Sequence, residues 1–355
     1  MKKLCIVVTI CLTSFLFSCT TNENNIKVFN EFPQEYKLKS TEVNTPSILY
    51  MVGEIELLDS VLIAMDLQFD KIFHVFKLPD INYLGSYIRR GRGPNEETFI
   101  DPYFRQIQGN SFMYYNSISI KIAKFDSDSS KIIIAENYNL PGKLMDLQCP
   151  FILNNQIIGW NPYGESNKEF LSYDLISKEI NPFGAKNLEF EYRIRTSIDK
   201  WLFAKIVSIK PDKSQFAVVY DKFPILRIYK ENGELQNEIR YKNGQIFPKA
   251  LISKNASKSD LNQITQNYRK IKTTDKYIYA LYIGKTNKEL NIDGYGLDDF
   301  SNEIHVWDWS GNPVAKLSLD KNYFSFCVTR DDKYLICSSL GSISSFYKYS
   351  LPWEK

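Results

Sequence analysis

Residue types able to bind or react gather in a few places along the chain. Arg89, Arg90 and Arg92, followed by Glu96 and Glu97, set fork-shaped cationic donors beside carboxylate acceptors. Guanidinium groups so placed can grip a carboxylate, or a sulfated or uronic sugar, through paired hydrogen bonds. The competing and favoured reading pairs them with the glutamates as a structural brace. Asp293, Asp298 and Asp299 lie among glycines, and clustered oxygen donors of this kind are weak candidates for Ca²⁺. Their spacing matches no EF-hand loop, and solvated acidic turns are commoner. Trp160 and Tyr163 edge another loop where a ring could stack on a sugar, although aromatics at strand ends more often belong to a core.

No motif for nucleophilic, zinc or phosphate chemistry accompanies them: there is no Gly-x-Ser-x-Gly elbow, His-Glu-x-x-His helix or phosphate loop. The only histidines, His74 and His305, stand at equivalent places two residues before a recurring aromatic, where Ala123, Leu171, Arg227 and Ser345 also occur. A position that accepts such variety is structural. No cofactor is expected. Catalysis by carboxylates alone stays open, and two close, buried carboxylates at a channel mouth would favour it.

The elements that must position these residues repeat. Tyr and Phe number 23 each, and strands are separated by tight polar turns, a composition that favours β-structure. One strand recurs as Ile72–Lys77, Lys121–Asp126, Glu169–Asp174, Ile225–Lys230, Glu303–Asp308 and Ile343–Lys348, each with an aromatic before a Lys or Asp. Two preceding strands recur with it, joined by turns at Asp59-Ser60, Gly109-Asn110, Asn154-Asn155, Asp212-Lys213, Asp275-Lys276 and Asp331-Asp332. The aromatics are spaced at about 40 to 56 residues, with one gap of about 78, near the blade period of propellers. The reading is all-β: a six-bladed β-propeller of four-stranded antiparallel blades. The last unit has only three strands, so a strand from Tyr36–Met51 is expected to complete it and close the ring.

At the amino end, Lys2, Lys3 and the apolar run Leu4–Leu12 describe a secretory signal peptide. Leu16-Phe17-Ser18-Cys19 resembles the lipobox of bacterial lipoproteins, which implies cleavage before Cys19 and its acylation. The expected organisation is a signal over 1–18, a lipid-anchored tether over 19–35 and the propeller over 36–355. Membrane attachment would run through acylated Cys19, placing the protein in a bacterial cell envelope, facing the periplasm or on the cell surface. Losing Lys2 and Lys3 leaves 42 basic against 41 acidic residues, a balance that offers nothing to nucleic acid. Cys327 and Cys337 fall on neighbouring strands, within bridging reach if the register allows; two buried free thiols are the stronger expectation.

With the six units, the signal and the loop Gly91-Arg92-Gly93-Pro94-Asn95-Glu96, the chain resembles the six-bladed propeller lipoproteins of the TolB-like superfamily. Those proteins often carry Gly-x-Gly-Pro-Gly-Glu after the first blade; here Asn95 replaces a glycine. The resemblance implies a fold and an address, not an activity. Function is expected on the face where all the long loops fall: Arg89–Glu97, Asn161–Lys168, Asn243–Tyr268 (where Ser259 or Asp260 could cap a short helix) and Gly284–Ser301. The leading expectation is a non-catalytic binding or scaffolding propeller that takes a peptide, protein partner or glycan at this rim. A polysaccharide lyase or glycoside hydrolase using the same rim is the alternative.

Overall fold

The computed structural model describes residues 25–43, 45, 49–162, 166–188, 202–244, 263–290, 301–339 and 345–353. Cys19, Tyr163, Asp293, Asp298, Asp299, Ser259 and Asp260 lie outside them. Six sheets form in chain order. Blade one holds Val52–Leu57, Val61–Asp66, Lys71–Lys77, Asn82–Arg90 and the short Glu96–Glu97. Blade two holds Arg105–Gln108, Ser111–Tyr115, Ser119–Asp126 and Lys131–Asn139; blade three holds Gln148–Leu153, Gln156–Trp160, Lys168–Asp174 and Ile180–Lys186. Blade four runs Lys205–Ile209, Gln215–Tyr220, Ile225–Lys230 and Leu235–Tyr241. Blade five runs Thr265–Thr273, Tyr277–Thr286, Ser301–Asp308 and Pro313–Tyr323, and blade six Ser325–Val328, Tyr334–Ser338 and Phe346–Ser350.

Alternation along each strand sends apolar side chains to both faces of a blade, where they meet the neighbouring blades. The result is one apolar cluster at each of the six junctions. The junction of blades six and one, with Phe76, Leu62, Ile336 and Phe346, is as well filled as the others, so the ring is closed. The recurring aromatics Phe76, Phe125, Tyr173, Tyr229 and Trp307 are all buried in these seams. In blade six the repeat is two residues out of step. Tyr349 stands opposite Leu335 as Phe76 stands opposite Leu62, and Tyr347 is only half-buried.

Closure follows the expected route and goes further. Thr41–Val43 pairs antiparallel with Phe346–Lys348 and gives blade six its fourth strand. Upstream, Glu35–Leu38 adds a parallel strand to the edge of blade five and Asn25–Phe29 one to blade four. The expected tether over 19–35 is therefore corrected: from Asn25 the chain is part of the propeller. Its inward-facing apolar residues are the reason, whereas Ile26 and Val28 stay exposed. Phe29 and Phe32 join the cluster between blades four and five, Tyr36 and Leu38 the next, and Val43 the one that closes the ring. Residues 25–43 strap three consecutive blades.

Cys327 pairs with Ile336, and Cys337 with Phe326. This register turns the two thiols to opposite faces of the sheet, into different clusters. Both are free and buried, as is Cys149.

A charged cavity at the channel mouth

The first strand of each blade lines the central channel, so its inward-facing side chains decide what the channel can hold. A cavity of about 1010 Å³ opens on the face of the short turns, between Asp59, Gly109, Asp212 and Asp331. Glu54 and Glu56, at alternate positions of blade one's inner strand, face Lys270 and Lys272, at alternate positions of blade five's. The inner strand of blade six, Ser325–Val328, is short, and both lysines reach across it. Lys270 Nζ pairs with Glu54 Oε2; Lys272 Nζ lies 3.0 Å from Glu54 Oε1 and also pairs with Glu56. Ser325 Oγ donates to Glu54 Oε1 at 2.8 Å. Burial opposes ionisation of Glu54, yet the two ammonium groups hold its carboxyl below the ordinary value.

Seven cationic side chains line the cavity (Arg105, Lys210, Lys213, Lys270, Lys272, Arg330 and Lys348) against five carboxylates (Glu54, Glu56, Asp59, Asp212 and Asp331). The carboxylates are all engaged: Asp59 accepts from Gln106, Asp212 from Lys210 and Ser214, and Asp331 from Thr329. The cations are not. Arg105 gives one Nη1 hydrogen bond to the Val207 carbonyl, at 2.8 Å. Its Nε is buried without a partner among the described residues. A guanidinium carries five N–H donors, and beyond the Val207 bond and the buried Nε the Nη donors of this one have no hydrogen-bond partner among the described residues.

Tyr103, on the segment entering blade two, packs on the clusters of blades three–four and four–five and so reaches across the channel. Lys270 Nζ sits 5.3 Å from its ring centroid. Asp101 is outside the cavity lining, its Oδ1 accepting from the Tyr103 N–H at 3.0 Å. Burial pushes its carboxyl up to about 6, against the lowering effects of that N–H, Arg105 and Lys270. A carboxyl raised in the folded state supports the fold fully below the unfolded value near 3.8, and that support is lost as pH rises through about 6. Asp101→Asn, which keeps the acceptor, should therefore melt about 3–6 °C above wild type at pH 7.5, with no gain near pH 4. Thermal melts at the two pH values test this; a gain unchanged by pH would contradict it.

The residues expected at the long-loop rim are mostly occupied. Arg89 Nε bonds Asp70 at 2.9 Å, and Arg90 donates to the Phe69 and Asp66 carbonyls, tying a turn. Glu96 accepts from the Gly93 N–H at 2.8 Å, and a Cβ on Gly91 would strike the Glu96 carboxylate. Asn95 takes φ +63°, the conformation for which a glycine is usual there. Glu97 is buried and held by Lys121, Tyr114 and Asn116 of blade two. Of these residues Glu97 braces the junction of blades one and two, while Arg89, Arg90 and Glu96 bond within blade one; the arginines meet the glutamates as backbone strand partners, not through side chains. Only Arg92 is exposed with no partner among the described residues. Trp160 is 5 % exposed, in the seam of blades three and four with the Lys205 ammonium 5.8 Å from its ring. It offers no face to a sugar, a correction that follows from its inward position beside Cys149.

Both histidines are buried and structural. Burial lowers the His74 imidazole to about 4, and His305 bonds Glu303 at 2.7 Å while stacking on Tyr282. Sequence reasoning also missed a buried hub at Glu169, which takes hydrogen bonds from Tyr220, Tyr229 and Lys205 and pairs with Arg227 at 3.1 Å. Among the described residues, no group of three or more His, Cys, Asp or Glu is placed to hold a metal ion.

A closed ring of six blades with a charged channel mouth defines a six-bladed β-propeller with a ligand-sized cavity. Over residues 31–331 the sequence matches the family described as TolB-like 6-blade propeller-like, and the chain belongs to it. In structure it is similar to a member of the DUF4221 family from Bacteroides vulgatus ATCC 8482, at a TM-score of 0.63 and 10 % identity, covering 90 % of this chain and 98 % of that one. It is also similar to a protein of Bacteroides fragilis NCTC 9343 described provisionally as exported, at a TM-score of 0.58 and 12 % identity, covering 93 % and 100 %. At these identities the likeness is one of fold. No curated protein matches the chain in sequence.

Proposed function

We propose that this chain is an exported, lipid-anchored propeller of the cell envelope that binds an anionic ligand in the channel mouth without transforming it. The observation that carries the reading is Arg105: a guanidinium with unused donors in a cavity whose carboxylates are all tied. An anion placed there gains charge-assisted hydrogen bonds and displaces no existing ion pair. The signal-like start, Cys19 and a structural neighbour described as exported support the address.

Glu54 and Glu56 are two close carboxylates at the channel mouth, the arrangement that would favour hydrolysis. Lys272 lies between them and pairs with both. A general acid needs a raised carboxyl, whereas Glu54 is held low. Binding is the better reading. Its location also moves from the long-loop rim to the opposite face.

The test is a thermal-shift and calorimetric screen with uronic-acid and sulfated oligosaccharides, acidic peptides and their neutral counterparts. At least one anionic probe should raise the melting temperature, its neutral counterpart should not, and no probe should be cleaved. Equal binding of neutral and charged members, or turnover of any of them, would contradict the proposal.

A further inference from the structure

The chain enters the propeller at one corner, and that corner determines which face an anchor would hold. Asn25–Phe29 runs parallel to Leu235–Tyr241, with Asn25 opposite Asn237 and Phe29 opposite Tyr241. The latter strand leaves the tight turn at Asn232-Gly233, on the short-turn face, and climbs towards the long loops. Asn25 is therefore at the short-turn end. Lys27 is bound there independently: its Nζ donates to the Ser310 carbonyl at 2.7 Å and to Asn312 Oδ1 at 3.0 Å, both in the short turn of blade five. The cavity opens on this same face. Between Cys19 and Asn25 stand only Thr20, Thr21, Asn22, Glu23 and Asn24. Fully extended, that stretch spans about 20 Å.

We infer that the short-turn face is the membrane-facing side of the molecule. At the anchored corner of blade four the gap between this face and the bilayer is about 20 Å or less, and the long-loop rim points away from the bilayer. The inference rests on acylation of Cys19, part of the function proposed above. It selects the ligand by size as well as charge. A folded domain of 100 residues has a radius of gyration of about 13 Å and is too thick for the gap. A small anion, or a flexible chain carrying one, enters freely and reaches Arg105 along the membrane surface.

The full chain, produced with its signal in a bacterium that lipidates exported proteins, provides the test. Palmitate incorporation is compared with Cys19→Ser. Lipidated protein is then placed on vesicles carrying an acceptor dye in the lipid, with a donor dye on Lys276→Cys or Lys288→Cys. Both sites are exposed and in blade five, one at a short turn and one at the long-loop end; the three described native thiols are buried. Strand length separates the two faces by about 17–20 Å, so energy transfer should be about twofold or more higher from Lys276→Cys. A flexible Gly/Ser insertion between Asn24 and Asn25 should shrink the difference. Equal or greater transfer from Lys288→Cys in palmitate-labelled protein overturns the orientation and leaves the anchor standing. Absence of Cys19-dependent palmitate overturns the anchor and the orientation with it.

Discussion

Deleting residues 25–43 should leave a protein that either fails to unfold in one sharp transition or melts about 5–15 °C below the intact chain. The strap places Phe29, Phe32, Tyr36, Leu38 and Val43 into three successive seams. Half-burying five such side chains contributes about 1–1.5 kcal/mol each, and a chain of this size loses about 1–2 °C per kcal/mol. Specific contacts add to this. Phe29 stacks on Tyr241 with centroids 5.0 Å apart, Phe32 lies 4.4 Å from the His305 ring, and Lys316 pairs with Glu35 at 3.2 Å. Deletion also leaves blade six with three strands and an open edge. Calorimetry of the purified deletion tests this. A melt as high and as sharp as that of the intact protein would show that the ring does not depend on the strap.

The second large effect is at Glu169. Its carboxylate is fully buried and is the only one paired with Lys205 among the described residues, whereas Arg227 keeps Glu238. Burial lowers the Lys205 ammonium below the ordinary lysine range even with Glu169 present. Glu169→Ala strands that cation in a seam of aromatic rings, a change that costs about 3–5 kcal/mol, or a fall of about 3–10 °C. The double variant Glu169→Met, Lys205→Met removes both charges and should recover most of the loss. If the double variant were as unstable as the single one, packing around Glu169 rather than its charge would be responsible.

The fold was legible because it rests on repetition. Alternating aromatics, tight turns and a three-stranded last unit are local signals, and blade closure is the arithmetic that follows from them. Two features were not. The strap strands Asn25–Phe29 and Glu35–Leu38 follow no blade repeat, because each joins the outer edge of a blade distant in sequence; only Phe29, Phe32, Tyr36 and Leu38 betray them. The last blade slipped by two residues because Tyr347 precedes Lys348 as the pattern asks, whereas Tyr349, followed by Ser350, holds the aromatic's place; only its pairing with Leu335 shows this.

The candidate site was legible in a weaker sense. Long loops drew attention to one rim, yet Arg89, Arg90, Glu96 and Glu97 spend their polar groups on the scaffold. The cavity lies at the other end of the channel, where every turn is short. Its signal was present in the inner strands as Glu54-Ile55-Glu56 and Lys270-Ile271-Lys272, charges at period two on strands that face the channel. Their complementarity shows only once blades one and five are known to meet across the short inner strand of blade six.

The most direct test of the account sets the two faces against each other. Calorimetric titration of the best anionic probe into wild type, Arg105→Ala and Arg92→Ala separates cavity from rim. Loss of charge-assisted hydrogen bonds worth about 1.5–3 kcal/mol should make Arg105→Ala bind about 10- to 100-fold more weakly, with Arg92→Ala unchanged. Undiminished binding by Arg105→Ala together with a loss in Arg92→Ala would place the ligand on the long-loop rim and contradict the account.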